Sequence, residues 1–211
     1  MADELFDIYD EQLRPLGTAT RAQTHANGYW HRTFHCWLTR REANRRFVRF
    51  QLRQAGKDTN PGCYDITAAG HLTAGETIRE AIRELEEELG VSAEFEQLIP
   101  LGQIREEASG VVRGAAFIDR EVSDVFGLVC EVPLAELRLQ PDEVAGLYEA
   151  DLEEMIAMFE GSRQEAAVQG VELDAASGLL IPVKRNVNAN QFVPREPSYY
   201  ASVLRALHGC T

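Results

Sequence analysis

Between Gly70 and Val91 the chain reads GHLTAGETIREAIRELEEELGV, with six glutamates from Glu76 to Glu88. At 3.6 residues per helical turn, Glu80, Glu84, Glu87 and Glu88 share one face. Ile78, Ala81, Ile82, Leu85 and Leu89 form the opposite, apolar stripe, and Glu86 lies apart. Like charges one turn apart repel by about 0.2–0.5 kcal/mol per pair. Arg83 can pair with Glu87 at i,i+4, but one arginine does not neutralise four carboxylates. A solvated face is the plain alternative. A hard divalent cation such as Mg²⁺ takes oxygen ligands and is commonly shared with substrate phosphates, so the crowding also suggests phosphoryl chemistry. The run Arg45, Arg46, Arg49 and Arg53 stands out in so acidic a chain. Alternate strand positions share a face, so Arg49 and Arg53 could line a phosphate site, or Arg53 and Lys57 could form a solvated loop rim. His35 on a strand and His208 on a late helix read as structural hydrogen-bonding residues.

The acidic segment resembles the Nudix box, G-x5-E-x7-R-E-U-x-E-E-x-G-U with U aliphatic. Gly70, Glu76, Arg83, Glu84, Leu85, Glu87, Glu88, Gly90 and Val91 match it. Six residues, rather than seven, separate Glu76 from Arg83, which places the missing residue at the entry to the helix. The resemblance implies an α/β/α sandwich with a central mixed sheet and a loop–helix–loop metal-binding motif. Glu84, Glu87 and Glu88 would bind Mg²⁺ or Mn²⁺, the Gly70 backbone would add a ligand, and Arg83 would orient the glutamates. The implied reaction is metal-assisted hydrolysis of a small nucleoside-diphosphate-type substrate.

Beyond the box, the chain from THANGYWHRTF through DREVSDVF is similar to type I isopentenyl-diphosphate isomerases, a branch of the same fold. By that resemblance His25, His31, His71, Asp119 and Glu121 match a second metal site, a mixed N/O set suited to Zn²⁺ or Mn²⁺. The two early histidines stand one residue closer than in those enzymes. Arg53 and Lys57 match cations that hold the substrate diphosphate. Glu121 is also the best general-base candidate outside the box, and Asp119 has the weaker claim. Ala69 occupies the place of the isomerase's catalytic cysteine, and alanine moves no proton. Cys63, six residues earlier, reads as a small buried residue with a free thiol. The missing cysteine and the full glutamate set favour a Nudix pyrophosphatase. The alternatives are an isomerase-like enzyme and a non-catalytic nucleotide-binding module.

The elements that must hold these residues follow from pattern. At 211 residues, with 45% hydrophobic and 26% charged content, the chain is expected to be one domain, 1–211. Extra strands are expected over 1–30 and a helical extension over about 151–211. HRTFHCWLTR and RRFVRFQLR, split by REAN, suggest an antiparallel pair, and GKDTNPG a loop. The acidic helix is expected over Thr77–Leu89, ended by Gly90. AEFEQLIPLGQI and VSDVFGLVCEV read as strands, and DLEEMIAMFEG and SYYASVLRALHG as helices. REEASGVVRGAAF and 162–191 carry no readable pattern. The net charge of −13 argues against a nucleic-acid polymer as partner. No signal peptide or membrane span is visible, and four scattered cysteines suit a reducing compartment, so a cytoplasmic protein is expected. A homodimer is left open.

Overall fold

A computed structural model describes residues 4–112 and 114–210. The chain begins with β1 (Leu5–Tyr9) and β2 (Pro15–Thr20), an antiparallel pair, followed by a short helix α1 (Arg21–Asn27). That helix corrects the expectation of strands alone before residue 30. It has no apolar stripe to betray it, but Thr20 and Gln23 form a reciprocal cap and Gly28, at φ 64°, ends it. Next come β3 (Trp30–Glu42) and β4 (Arg45–Arg53), the antiparallel hairpin expected from their aromatic and β-branched content. Two short strands, β5 (Tyr64–Asp65) and β6 (Ala68–His71), pair with β4 and β3 and lead into the acidic segment.

The acidic helix is shorter than its sequence pattern. The Glu80 carboxylate accepts hydrogen bonds from the Thr77 backbone N–H and hydroxyl, both at 2.8 Å, and a single 3₁₀ turn spans Glu80–Ile82. The α-helix proper, α2, covers Arg83–Leu89 and stops at Gly90, whose φ of 67° suits glycine. Two long strands follow, β7 (Ile99–Val112) and β8 (Ala115–Val129), with the uninterpreted REEASGVVRGAAF at the far end of their hairpin. β8 runs parallel to β3, with Trp30–Thr39 in register with Arg120–Val129.

The remaining chain is β9 (Val144–Asp151), α3 (Leu152–Phe159), β10 (Ala166–Leu173), β11 (Leu180–Val187) and α4 (Tyr199–Cys210). The expected helical extension therefore also contains a hairpin. β10 buries Ala166, Val168 and Gly170 while Ala167 and Gln169 face out, a period of two that packs on a sheet and cannot pack as a helix. Among the described residues eleven strands form one mixed sheet. Leu85 and Leu89 of α2 pack on one face with Phe34, Cys36 and Leu38. Met155, Leu204 and Leu207 of α3 and α4 pack on the other with Trp37, Val48 and Phe50. Each such fully buried side chain stabilises the fold by about 1.5–3 kcal/mol. The architecture is the α/β/α sandwich expected. Among the described residues no helix is long and apolar enough to cross a membrane.

Candidate metal and diphosphate site

Arg83 organises the acidic face of α2. Its guanidinium donates to Glu76 at 2.7 and 3.0 Å, to Glu84 at 2.8 Å, to Glu87 at 2.8 Å and to the His71 carbonyl at 3.3 Å. Glu84 and Glu88 are buried, whereas the Glu87 side chain is 56% exposed. Burial pushes the Glu84 carboxyl up to about 7; Arg83 opposes the rise and Glu87 adds to it. Burial pushes Glu88 well up too, reinforced by Glu84 and Glu143, although it accepts from the Ala69 N–H and from Gln51, both at 3.3 Å. Two buried carboxylates short of positive charge are what a divalent cation would compensate. Gly70 leaves room for Glu84 where it stands, because a Cβ there would lie 2.1 Å from the Glu84 carboxylate carbon. Glu80, placed by helical spacing on the same face, is instead engaged at Thr77.

The second donor set comes from four elements. His25 of α1, His31 of β3, His71 of β6, and Asp119 and Glu121 of β8 converge. Asp119 Oδ1 lies 3.4 Å from His25 Nε2 and 3.5 Å from His31 Nε2. Glu121 Oε1 lies 3.4 Å from His71 Nε2 and 3.9 Å from His31 Nε2. The parallel β3–β8 register sets His31 beside Glu121. Phe6 of β1 stacks on His31 and His71, with ring centroids 5.3 and 4.8 Å apart. His31 Nδ1 lies 3.2 Å from the Tyr29 carbonyl, which only accepts, so Nδ1 carries the proton and Nε2 offers a lone pair. Burial, then His71, depresses His31 to about 4. Glu121 is held well below the carboxylate range, its burial outweighed by His71 and His31. The Nε2 atoms of His25, His31 and His71 and Asp119 Oδ1 are all buried without a hydrogen-bond partner among the described residues. His25, His31 and His71 form one group, and His31, Asp119 and Glu121 another, whose ligand atoms lie within 4.8 Å of one another. Four orphaned polar atoms aimed at one point fit a metal ion better than an apolar void.

The box glutamates Glu84, Glu87 and Glu88, with His71, Asp119 and Glu121 of the second set, border a cavity of about 740 Å³, within the range of small-molecule sites. Arg53 and Lys57 line it, Arg53 bonded to Asp65 at 3.1 Å and Lys57 to Glu143. Arg49 does not, which corrects the pairing expected from strand alternation. It is fully buried against Glu149 of β9, its cross-strand neighbour, at 3.2 Å, and borders a different cavity with Arg40. Four residues along a strand span about 13 Å, enough to separate two arginines on one face. Cys63 is half-buried and a free thiol.

Two cavity residues escaped the sequence. Arg195 bonds Asp65 at 3.1 Å and Glu106 at 2.7 Å. His35 lines the cavity with its Nδ1 3.0 Å from the Tyr199 hydroxyl, and burial depresses it to about 3. Alternation along β3 places His35 on the face of His31 and Thr33, a signal that was present. Arg195, in an irregular segment, had none.

A family model described as NUDIX domain matches residues 29–168. The chain is 36% identical over 207 residues to an uncharacterized Nudix hydrolase of Clostridium acetobutylicum, covering 98% of each protein. It is 31% identical over 189 residues to Nudix hydrolase 3 of Arabidopsis thaliana, covering 88% of this chain and 24% of that one. An isopentenyl-diphosphate Delta-isomerase of Clavibacter michiganensis is 30% identical over 155 residues, covering 72% of this chain and 75% of that one. Among solved structures, a Deinococcus radiodurans protein superposes with a TM-score of 0.55 at 21% identity, covering 76% of this chain and 91% of that one.

Proposed function

This chain belongs to the NUDIX domain family and is a Nudix hydrolase, and we propose that it hydrolyses a diphosphate linkage in a small nucleoside-diphosphate-type or related substrate. The observation that carries this is the pair of buried carboxylates, Glu84 and Glu88, held beside Gly70 at the cavity wall without enough positive charge to compensate them. Glu84, Glu87, Glu88 and the Gly70 carbonyl would hold Mg²⁺ or Mn²⁺. A divalent cation there supplies the charge that polarises a phosphoryl oxygen and acidifies a bound water. Arg83 fixes the glutamates, drawing Glu84 and Glu87 to one guanidinium. Arg53 and Lys57 steady the substrate's phosphates, exchanging Asp65 and Glu143 for phosphoryl oxygens. His25, His31, His71, Asp119 and Glu121 would hold a second ion of the Zn²⁺ or Mn²⁺ type. Glu121, facing His71 and His31, would be one of the ligands of that ion. The scattered free thiols fit a cytoplasmic location.

The test is incubation with Mg²⁺ and a panel of nucleoside diphosphates, nucleotide sugars and prenyl diphosphates, following phosphate or monophosphate release. Turnover that falls in Glu87→Gln is expected; no turnover across the panel would sink the reading. The complete histidine cluster favours one second activity, isopentenyl-diphosphate isomerisation, against which Ala69 stands. Deuterium uptake from solvent into isopentenyl diphosphate, lost in Glu121→Gln, would promote it.

A further inference from the structure

Four cations at the cavity are already engaged by carboxylates: Arg53 by Asp65, Arg195 by Asp65 and Glu106, Lys57 by Glu143, and Arg83 by three glutamates. His35 adds a neutral donor to the same wall, and its direction is fixed by a buried relay. The Trp37 indole N–H lies 3.4 Å from the Tyr199 hydroxyl oxygen, and an indole only donates, so that oxygen accepts. The Tyr199 hydroxyl proton then needs an acceptor, and among the described residues only His35 Nδ1, at 3.0 Å, is available. The opposite arrangement, with Nδ1–H donating to Tyr199, would strand a buried hydroxyl proton at a cost of about 1–3 kcal/mol. His35 is therefore the Nε2–H tautomer.

The position of that N–H is set by the sheet. His35 is in register with Ala69 on β6, one residue before Gly70, and it lines the cavity. Among the described residues its Nε2 has no hydrogen-bond partner, yet it is not among the sealed, orphaned atoms that mark the histidine cluster. It faces the space a substrate would fill. Burial keeps the ring uncharged at neutral pH, so it donates without competing with the metal-facing carboxylates for a proton. A neutral imidazole held this way can stabilise developing negative charge by hydrogen bonding alone.

We propose that His35 is a catalytic residue of the diphosphate site, donating its Nε2–H to a phosphoryl oxygen of the bound substrate, with Tyr199 and Trp37 as positioning residues that fix its tautomer. No bond to hydrogen is broken: the N–H stays on the ring, and the hydrogen bond strengthens as charge builds on the oxygen. This rests on the hydrolase reading above.

Long-range ¹⁵N NMR of the wild-type chain tests the relay without any turnover. A protonated Nε2 and bare Nδ1 are expected from pH 5 to 8; a protonated Nδ1 overturns the proposal. Adding Mg²⁺ with methylenediphosphonate should shift the His35 Nε2–H resonance, while Mg²⁺ alone leaves it in place; no shift with the diphosphonate overturns the contact. In kinetics, His35→Phe should lower kcat by about 10–100-fold, and His35→Gln, which keeps a donor near the same point, should recover most of that loss. Equal loss in both variants overturns the donor role. Tyr199→Phe should lower kcat and mix the tautomers while His35 remains. If the wild type hydrolyses nothing, the hydrolase reading fails on that result, and the two NMR arms still decide the fate of the His35 assignment.

Discussion

The two donor sets facing the cavity are built in opposite ways. The box places Glu76, Glu84, Glu87 and Glu88 within one short segment and ties three of them to Arg83, itself 33% exposed. The histidine cluster draws His25, His31, His71, Asp119 and Glu121 from α1, β3, β6 and β8 and buries the three histidine Nε2 atoms and Asp119 Oδ1. All-oxygen donors with one open carboxylate suit a hard cation that keeps waters and meets substrate. A dry set of imidazoles and carboxylates suits a tighter-held, borderline ion. The two meet at Gly70 and His71, neighbours on β6: the first makes room for Glu84, and the second gives its carbonyl to Arg83 and its ring to the cluster. One strand thus fixes the spacing between the two donor sets.

The sharpest way to break this contrast is Glu88→Gln. Losing a box ligand should lower kcat by about 10³-fold, the equivalent of several kcal/mol of charge stabilisation. Because Glu88 is pushed toward its neutral form without metal, glutamine mimics that form, and thermal stability in chelator should hold or rise. Calorimetry showing a destabilised chain would contradict the assignment. Next comes His31→Ala, expected to cut tightly bound transition metal, by elemental analysis after dialysis, from about one per chain to under a tenth. Glu88→Gln should keep that ion; if both variants lose it, the two sites are one.

Arg83→Gln should cost about 10–100-fold in activity and raise the Mg²⁺ concentration needed, as expected for a residue that orients ligands. Metal titrations of the rate would show it, and an unchanged requirement would reduce Arg83 to a surface latch. The smallest effect concerns acid. His35 is depressed in the folded chain to about 3 from the ordinary 6.5. The unfolded chain therefore binds the extra proton between those values, so the stability His35 contributes is complete above about 6.5 and drains away as pH falls toward 3. Urea midpoints at pH 7.5 and 4.5 should converge more in His35→Gln than in wild type; an unchanged gap would mean that His35 is not buried neutral.

Helical periodicity alone grouped Glu84, Glu87 and Glu88 and set Leu85 and Leu89 toward the core, because both depend on geometry repeated within a few residues. The same periodicity misplaced Glu80, whose carboxylate turns back onto Thr77 at the entry to the helix, as a capping glutamate does. Hairpin β10–β11 was obscure because its burial comes from β9 and the two late helices rather than from neighbours in sequence.

What the sequence determined by itself was therefore the chemistry on offer: which side chains could ligate, their order in the box, and the glycine that lets them close on the strand. The tertiary structure decided which of them share a site. The parallel register of β3 with β8 brought His31 to Glu121, and the cross-strand partner Glu149 withdrew Arg49 from the cavity. Trp37 and Tyr199, from distant segments, fixed which His35 nitrogen carries the proton. Such pairings join segments far apart in the chain, and their register is set by the burial of whole faces, which no local spacing records.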